Sequence, residues 1–334
     1  MDVTRQLRYL SLSGYQPLTV RPAHATKAAY WTRRGVMFSG AAEHVLASPR
    51  LARLRGKINL IFTSPPFPLN RKKRYGNRQG QAYVEWLASF APLLRDFLAR
   101  DGSIVLEMGN AWEPGHPVMS TLALEALLAF ARAGDLHLCQ QFICYNPTRL
   151  PTPAQWVNVE RIRVKDAYTH VWWMSPSENP HADNRRVLKP YSKAMLKLLA
   201  SQKYNAGKRP SEHHIGATSF LRNNSGAIPS NVLTLSNTTA SDNYLRYCRE
   251  QGFSPHPARM PMGLPDFFIR FLTKPRDLVL DPFAGSNTTG AAAERLNRRW
   301  VSIETTDEYL NASKGRFERT WIRRPRSHAS LRHL

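Results

Sequence analysis

A strand, a glycine turn, a helix and a second strand follow one another near the end of this chain, and they constrain its fold more than anything else in it. Asp277-Leu278-Val279-Leu280-Asp281 reads as a buried strand, Gly285 permits a tight turn, a helix runs on to about residue 297, and Trp300-Val301-Ser302-Ile303 reads as the next strand. Strands joined through a helix run parallel, with a right-handed crossover, so the pattern requires a sheet covered by helices. The alternation recurs upstream. Ile58-Asn59-Leu60-Ile61-Phe62 is a short apolar run stopped by Pro65-Pro66. Val84, Leu87, Phe90, Leu94 and Leu98 recur at helical spacing over 81–98, and Asp101-Gly102 turns the chain into a strand over 103–108. A helix over 120–133, a β-rich run over 137–145, a strand over 168–174 and a helix over 264–273 complete the series, with Val36-Met37-Phe38 as a short strand and a helix after it that Pro49 ends near Ala47. The expected class is α/β, with a mainly parallel sheet and helices on both faces.

The chain has 334 residues, 42% of them hydrophobic, enough for one large domain with an insertion or for two domains sharing an interface. Lys and Arg total 47 against 24 Asp and Glu, a net charge of +23 that calls for a polyanionic partner. Nucleic acid is favoured over a membrane, because no apolar stretch reaches the ~20 residues of a span and no long amphipathic Lys-rich helix is evident. Cys139, Cys144 and Cys248 lack the paired spacing of a zinc site and the density of a disulfide framework, so they read as core thiols and no metal is expected. No apolar segment follows Met1-Asp2-Val3-Thr4-Arg5, which leads to the expectation of a cytoplasmic protein. From Ser175 to about residue 255 the chain becomes polar and rich in Asn, Ser, Pro and Lys, and reads as a loop-rich insertion with helical periodicity confined to 191–199.

Two loops carry the chemistry. In Asp281-Pro282-Phe283-Ala284-Gly285-Ser286-Asn287-Thr288-Thr289-Gly290 the glycine allows close backbone approach, and Ser286 to Thr289 offer hydroxyls and first-turn amides to a carboxylate or phosphate. Glu304, at the end of the following strand, suits a ribose diol. The other loop is Thr63-Ser64-Pro65-Pro66-Phe67, whose prolines donate no backbone hydrogen bond and leave carbonyls free for a ligand. Arg71-Lys72-Lys73-Arg74 lies just beyond it and is placed to hold phosphates.

Asp-Pro-Phe-x-Gly-Ser and Ser-Pro-Pro-Phe in one chain resemble the S-adenosylmethionine-dependent DNA amino-methyltransferases. With the catalytic motif first and a target-recognition insertion between the two, the order resembles the β arrangement of that family. The resemblance is closer to the PvuII-type N4-cytosine modification methyltransferases. Residues 63–69, Asp101-Gly102-Ser103, Trp156-Val157-Asn158, residues 161–167, Val171-Trp172-Trp173, His256-Pro257-Ala258-Arg259, Phe267-Phe268-Ile269-Arg270 and residues 285–290 carry it, over roughly 30–317. It implies a class I, Rossmann-like methyltransferase with a seven-stranded, mainly parallel sheet. The divisions expected are a basic arm (1–30), a catalytic half (31–174), a target-recognition region (175–255), a cofactor-binding half (256–318) and a basic tail (319–334). Phe62, Thr63 and Pro257 would border the cofactor, Asp281, Phe283, Gly285, Ser286, Asn287, Thr288 and Thr289 would cradle it, and Glu304 would hold its ribose. One departure is Ala41, which follows Gly40 where the family often has an acidic residue facing the adenine ring.

What the resemblance implies is methyl transfer to the N4 amine of a cytosine flipped from duplex DNA, a poor nucleophile because its lone pair is delocalised into the ring. The base would stack on Phe67 and donate its amine hydrogens to the Pro65 carbonyl and the Ser64 hydroxyl, with Pro66 stiffening the loop and Glu107 taking the proton or polarising Ser64. A hydroxyl at Ser64 can also donate to the ring nitrogen, which favours cytosine over adenine, and the absence of a Pro-Cys pair disfavours methylation at carbon. Arg161, Arg163 and Lys165, with Arg71 to Arg74 and the tail residues Arg323, Arg324 and Arg326, would meet phosphates, while Arg209, His213, His214, Asn223 and Asn224 would read bases in the major groove. Double-stranded DNA is the expected partner, with a restriction endonuclease acting separately; monomer and homodimer stay open. So do three other readings: an N6-adenine DNA methyltransferase, an RNA amino-methyltransferase and an inactive DNA-binding relative.

Overall fold

The structure, a computed structural model, describes residues 26–68, 78–236 and 242–317. In chain order the strands are β1 (Lys27–Trp31), β2 (Gly35–Ser39), β3 (Ile58–Thr63), β4 (Leu98–Gly109), β5 (His137–Tyr145), β6 (Tyr168–Ser175), β7 (Gly207–Lys208), β8 (His214–Ile215), β9 (Val232–Thr234), β10 (Leu278–Asp281) and β11 (Arg299–Glu304). The described helices are α1 (Ala42–Leu46), α2 (Pro49–Ala52), α3 (Gly80–Phe97), α4 (Leu122–Ala133), α5 (Lys193–Ser201), α6 (Asn243–Gln251), α7 (Gly263–Leu272), α8 (Thr288–Arg295) and α9 (Asp307–Ser313). Among the described residues, those up to His181 and from Asn231 onward form one compact unit, and Ala182–Ser230 forms a second.

In the first unit one sheet runs β1-β2-β11-β10-β3-β4-β6-β5-β9. From β2 to β4 every pairing is parallel, while β6 is antiparallel to both of its neighbours. The sheet therefore has nine strands rather than the expected seven. The two extra strands are at its edges: β1 folds back on β2 as an antiparallel hairpin, and the three-residue β9 adds in parallel to β5. β1 falls largely within the residues expected to be a basic arm; buried Ala28 and Tyr30 hold it to the sheet. Each central strand is apolar on both faces, with alternate residues going to opposite sides. On β3, Ile61 joins the core cluster that includes α3 and α4, while Leu60 and Phe62 join the one that includes α7 and α8; Ile58, beyond an irregularity in the pairing between Ile58 and Leu60, falls on the Ile61 side, and on β10 Leu280 and Val279 divide in the same way. Gly35 lets β2 lie against the Trp300 indole, since a Cβ there would come 2.1 Å from a ring carbon.

The second unit is small and polar. α5 buries none of its side chains and is capped by the Ser192 hydroxyl, which accepts from Met195 N at 3.2 Å. β7 and β8 pair as a two-residue hairpin. No described helix is long and apolar enough to cross a membrane.

Candidate active site

The cleft lies where the sheet's connections diverge. β10 leads through α8 to β11 on one side, β3 leads through α3 to β4 on the other, and β3 and β10 pair in parallel between them. Loops leaving the carboxyl ends of two such strands open a crevice for ligands. Here those loops are the Ser-Pro-Pro-Phe and Asp-Pro-Phe segments, tied at their base by Thr63 Oγ1 donating to Asp281 Oδ1 at 2.7 Å.

The glycine turn is held from several directions. Gly285 has φ +50°, its N–H donates to Glu304 Oε2 at 2.7 Å, and a Cβ on it would come 3.0 Å from His256 Nε2. Glu304 Oε1 accepts from Thr306 N at 2.8 Å. Asn287 takes the left-handed conformation that caps α8: its Oδ1 accepts from Gly290 N at 3.1 Å and from the Ser302 hydroxyl at 2.8 Å, and its Nδ2 donates to the Tyr30 hydroxyl at 3.0 Å. Tyr30 and Ser313 share a further hydrogen bond at 2.7 Å. Arg316 clamps the outside of the turn, donating from Nε to the Ser286 carbonyl and from Nη2 to its hydroxyl, both at 3.0 Å, while Nη1 meets Asp242 Oδ2 at 3.2 Å.

One cavity of about 630 Å³ joins the two loops. Ser64, Pro65, Pro66, Phe67 and Glu107 line one part, and Pro257, Phe283, Gly285, Ser286, Thr288 and Glu304 line another. Phe62, Thr63, Asp281, Asn287 and Thr289 are buried behind this surface. Phe67 rests on Gly109, where a Cβ would come 2.5 Å from its ring.

Two buried acids set the electrostatics. Glu107 accepts from the Thr169 hydroxyl at 3.0 Å and is hydrogen-bonded to Ser64. Burial raises its pKa above the usual carboxylate range, against the opposing pull of Thr169, Ser64 and the Arg149 charge. Asp281 is pushed up to about 6, again by burial, with the Thr289 and Thr63 hydroxyls and Phe283 N–H acting the other way. Its Oδ2 and the Thr289 hydroxyl are close neighbours without a hydrogen bond of good geometry. His256 is driven down to about 4 by burial, so it is neutral at pH 7.

The family model for DNA methylases that act at N6 or N4 matches residues 58–315. The Type II methyltransferase M.PvuII of Proteus hauseri is 45% identical over 294 residues, covering 87% of this chain and 86% of that one. This chain belongs to the DNA methylase family. The solved PvuII DNA methyltransferase, described as cytosine-N4-specific, superposes with a TM-score of 0.70 at 37% identity, over 92% of this chain and 93% of the other. A Thermus thermophilus protein solved in complex with S-adenosyl-L-methionine shares the fold at a TM-score of 0.52 and 18% identity, over 86% and 94% of the two chains.

The methylase's other expected contact residues fall in the first unit, in the second, or outside the described residues. Arg71 to Arg74 and the tail arginines lie outside the described residues. Arg161, Arg163 and Lys165 are exposed on the segment between β5 and β6. The last two also serve the loop itself: Arg163 Nε donates to the Pro117 carbonyl at 3.0 Å, and Lys165 Nζ to the Pro147 carbonyl at 3.0 Å. In the second unit Arg209 and His213 close the β7–β8 turn through a 2.8 Å backbone hydrogen bond, and Asn224 N donates to the Tyr191 hydroxyl at 2.8 Å. His213, His214, Asn223 and Asn224 are exposed and Arg209 half-buried. Arg149, Thr169, Tyr309 and Arg316 belong to the site or its support without having been singled out in the sequence. No local motif marks them, because each meets the loops only through distant pairings.

Proposed function

We propose that this methylase transfers the methyl group of S-adenosylmethionine to the N4 amine of a cytosine within a short duplex recognition sequence, as the modification enzyme of a restriction-modification pair. The observation that carries the reading is the single cavity in which Ser64, hydrogen-bonded to buried Glu107, faces the same space as Gly285 and Glu304. The 45% identity to a Type II methyltransferase supports it.

The residues present fit that cofactor. Glu304 accepts from Gly285 N, Thr306 N and the Thr305 hydroxyl and keeps acceptor capacity on Oε2 at the strand end for a ribose hydroxyl, Gly285 has no side chain to block close approach, and Asp281 Oδ2 is a buried acceptor without a well-formed hydrogen bond, suited to a cationic ligand. S-adenosylmethionine supplies an electrophilic methyl group on a sulfonium. The chain orients the nucleophile. The Pro65 carbonyl accepts one amine hydrogen, Ser64 accepts the other or donates to the ring nitrogen, Phe67 stacks on the base, and Pro66 stiffens the loop. Glu107 receives the proton through Ser64, a role suited to a carboxylate whose pKa burial has raised. Phe62, Thr63, Asn287 and Thr289 shape the cofactor site from behind; Pro257, Phe283, Ser286 and Thr288 line it. Residues 175–255 would read the sequence, between the catalytic half (31–174) and the cofactor half (256–318), in a cytoplasmic enzyme whose partner endonuclease acts separately.

The test is mass spectrometry of nucleosides from the DNA of cells expressing the wild type or Ser64→Ala. N4-methylcytosine in the first and its loss from the second is the expected result. N6-methyladenine, or no modified nucleoside with the wild type, overturns the assignment.

A further inference from the structure

Glu107 is buried on β4, and its neighbour across the sheet is Val171 of β6. Two residues before Val171, on the same face of β6, comes Thr169, which pairs with Gly109 of β4 on one side and with Cys144 of β5 on the other. Strand pairing therefore fixes the threonine on both flanks. Its hydroxyl donates to Glu107 Oε1 at 3.0 Å, along the diagonal between the strands, and both residues line the cavity with Ser64.

Four groups act on the Glu107 carboxyl: Ser64 from the loop after β3, Thr169 from β6, the Cys144 thiol from β5 and the Arg149 guanidinium from the segment after β5. The thiol adds no charge, since burial pushes it up to about 12. Arg149 is positively charged, but its Nη1 donates to the Tyr168 carbonyl at 3.1 Å. The side-chain hydrogen bonds that favour the ionised carboxylate come from two hydroxyls, Thr169 and Ser64.

Those hydroxyls have different tasks. Ser64 passes a proton on: N4 gains the methyl from the sulfonium, leaving a neutral thioether, and loses one hydrogen to Ser64 Oγ as the serine's own hydrogen moves to Glu107. Thr169 keeps its hydrogen throughout. A neutral carboxyl accepts hydrogen bonds through its carbonyl oxygen, so a donor held at Oε1 leaves the arriving proton to the other oxygen. We propose that Thr169 is a positioning residue of the methyl transfer, whose hydroxyl fixes the rotation of the Glu107 carboxyl and keeps it ionised until the proton arrives through Ser64. The inference rests on the methylation reading above and adds to it the group that sets the base.

A threonine that only packed between strands could be replaced by valine, which has the same shape. The experiment measures single-turnover rates against pH, with saturating cofactor, for wild type, Thr169→Val, Thr169→Ala and Thr169→Ser on a duplex bearing the site methylated in the expressing cells. Thr169 pulls against burial, so losing its hydroxyl raises the Glu107 pKa further. The base works ionised, and the rate falls as pH drops through that pKa; the acidic limb of the profile therefore moves to higher pH. Expected is a displacement of about one pH unit in both hydroxyl-free variants, which is about a tenfold loss on that limb. Thr169→Ser should return the limb to its wild-type place, with cofactor affinity by calorimetry unchanged in every variant. A limb in the same place with and without the hydroxyl overturns the role, as does a rate lowered equally at every pH, which marks packing alone. A wild type that methylates the duplex with no acidic limb also overturns it, by removing Glu107 as the base. A wild type that leaves both the duplex and the DNA of the expressing cells unmethylated overturns the methylation reading itself.

Discussion

Asp281 couples the charge of the cleft to pH. Its folded pKa of about 6 lies above the value of about 4 for an unfolded aspartate. Without a ligand, the acid therefore contributes stability that is complete below about pH 4 and is lost as pH rises through about 6. A cationic ligand reverses the preference, because it favours the ionised carboxylate. Cofactor affinity should then rise with pH and level off above about 7, with about a tenfold loss on going from pH 7 to pH 5. Titration calorimetry across that range checks this, and Asp281→Asn should flatten the profile; an equally steep profile in the variant would remove Asp281 from the linkage. Asp281 and Glu304 were legible because each closes a strand, and Ser64 because it follows one directly and precedes the Pro-Pro turn. The partners that set their chemistry were not. Thr169 reaches Glu107, and His256 meets Gly285, only after strands far apart in sequence have paired.

Strand β4 shows how an element far from the reacting atoms can set their position. It carries Glu107 into the cavity and ends at Gly109, whose missing side chain leaves the space occupied by the Phe67 ring. Gly109→Ala would put a methyl group 2.5 Å from that ring and force it aside. Turnover should fall by about tenfold or more while cofactor affinity stays near wild type, because the ring that stacks the base moves and the glycine turn does not. Equal kcat in the two enzymes would show that Phe67 can move without consequence. Elements with a sustained apolar period, β3, β4, β10, α3 and α7, could be read from the sequence to within a few residues, apart from the extra residues at the start of β4. β1 and α6 could not. β1 is short and lies in a polar, basic stretch, and α6 is polar over most of its surface and buries only Tyr244 and Cys248. Such elements are specified by the surface they dock on rather than by their own pattern.

At the scale of the whole molecule, the net charge of +23 pointed to a polyanion but not to where it binds. Part of that charge is used internally. Arg316 is committed to Ser286 and Asp242, and Arg298 donates to the Thr273 hydroxyl at 2.9 Å and carbonyl at 2.7 Å. Arg161 is placed differently: exposed, on the segment that borders the cavity, and at φ +58°, a conformation that costs a residue with a Cβ about 1 kcal/mol or more. Glycine would adopt it without that strain. Arg161→Gly should therefore leave the melting temperature unchanged or higher while weakening duplex binding. If the side chain neutralises one phosphate, the slope of log affinity against log salt should become shallower by about 0.9. Fluorescence anisotropy of a labelled duplex at several salt concentrations, alongside a thermal melt, measures both effects. Parallel salt plots for the two proteins would remove Arg161 from the interface, and a lowered melting temperature would show that the strained turn is held by the arginine side chain itself.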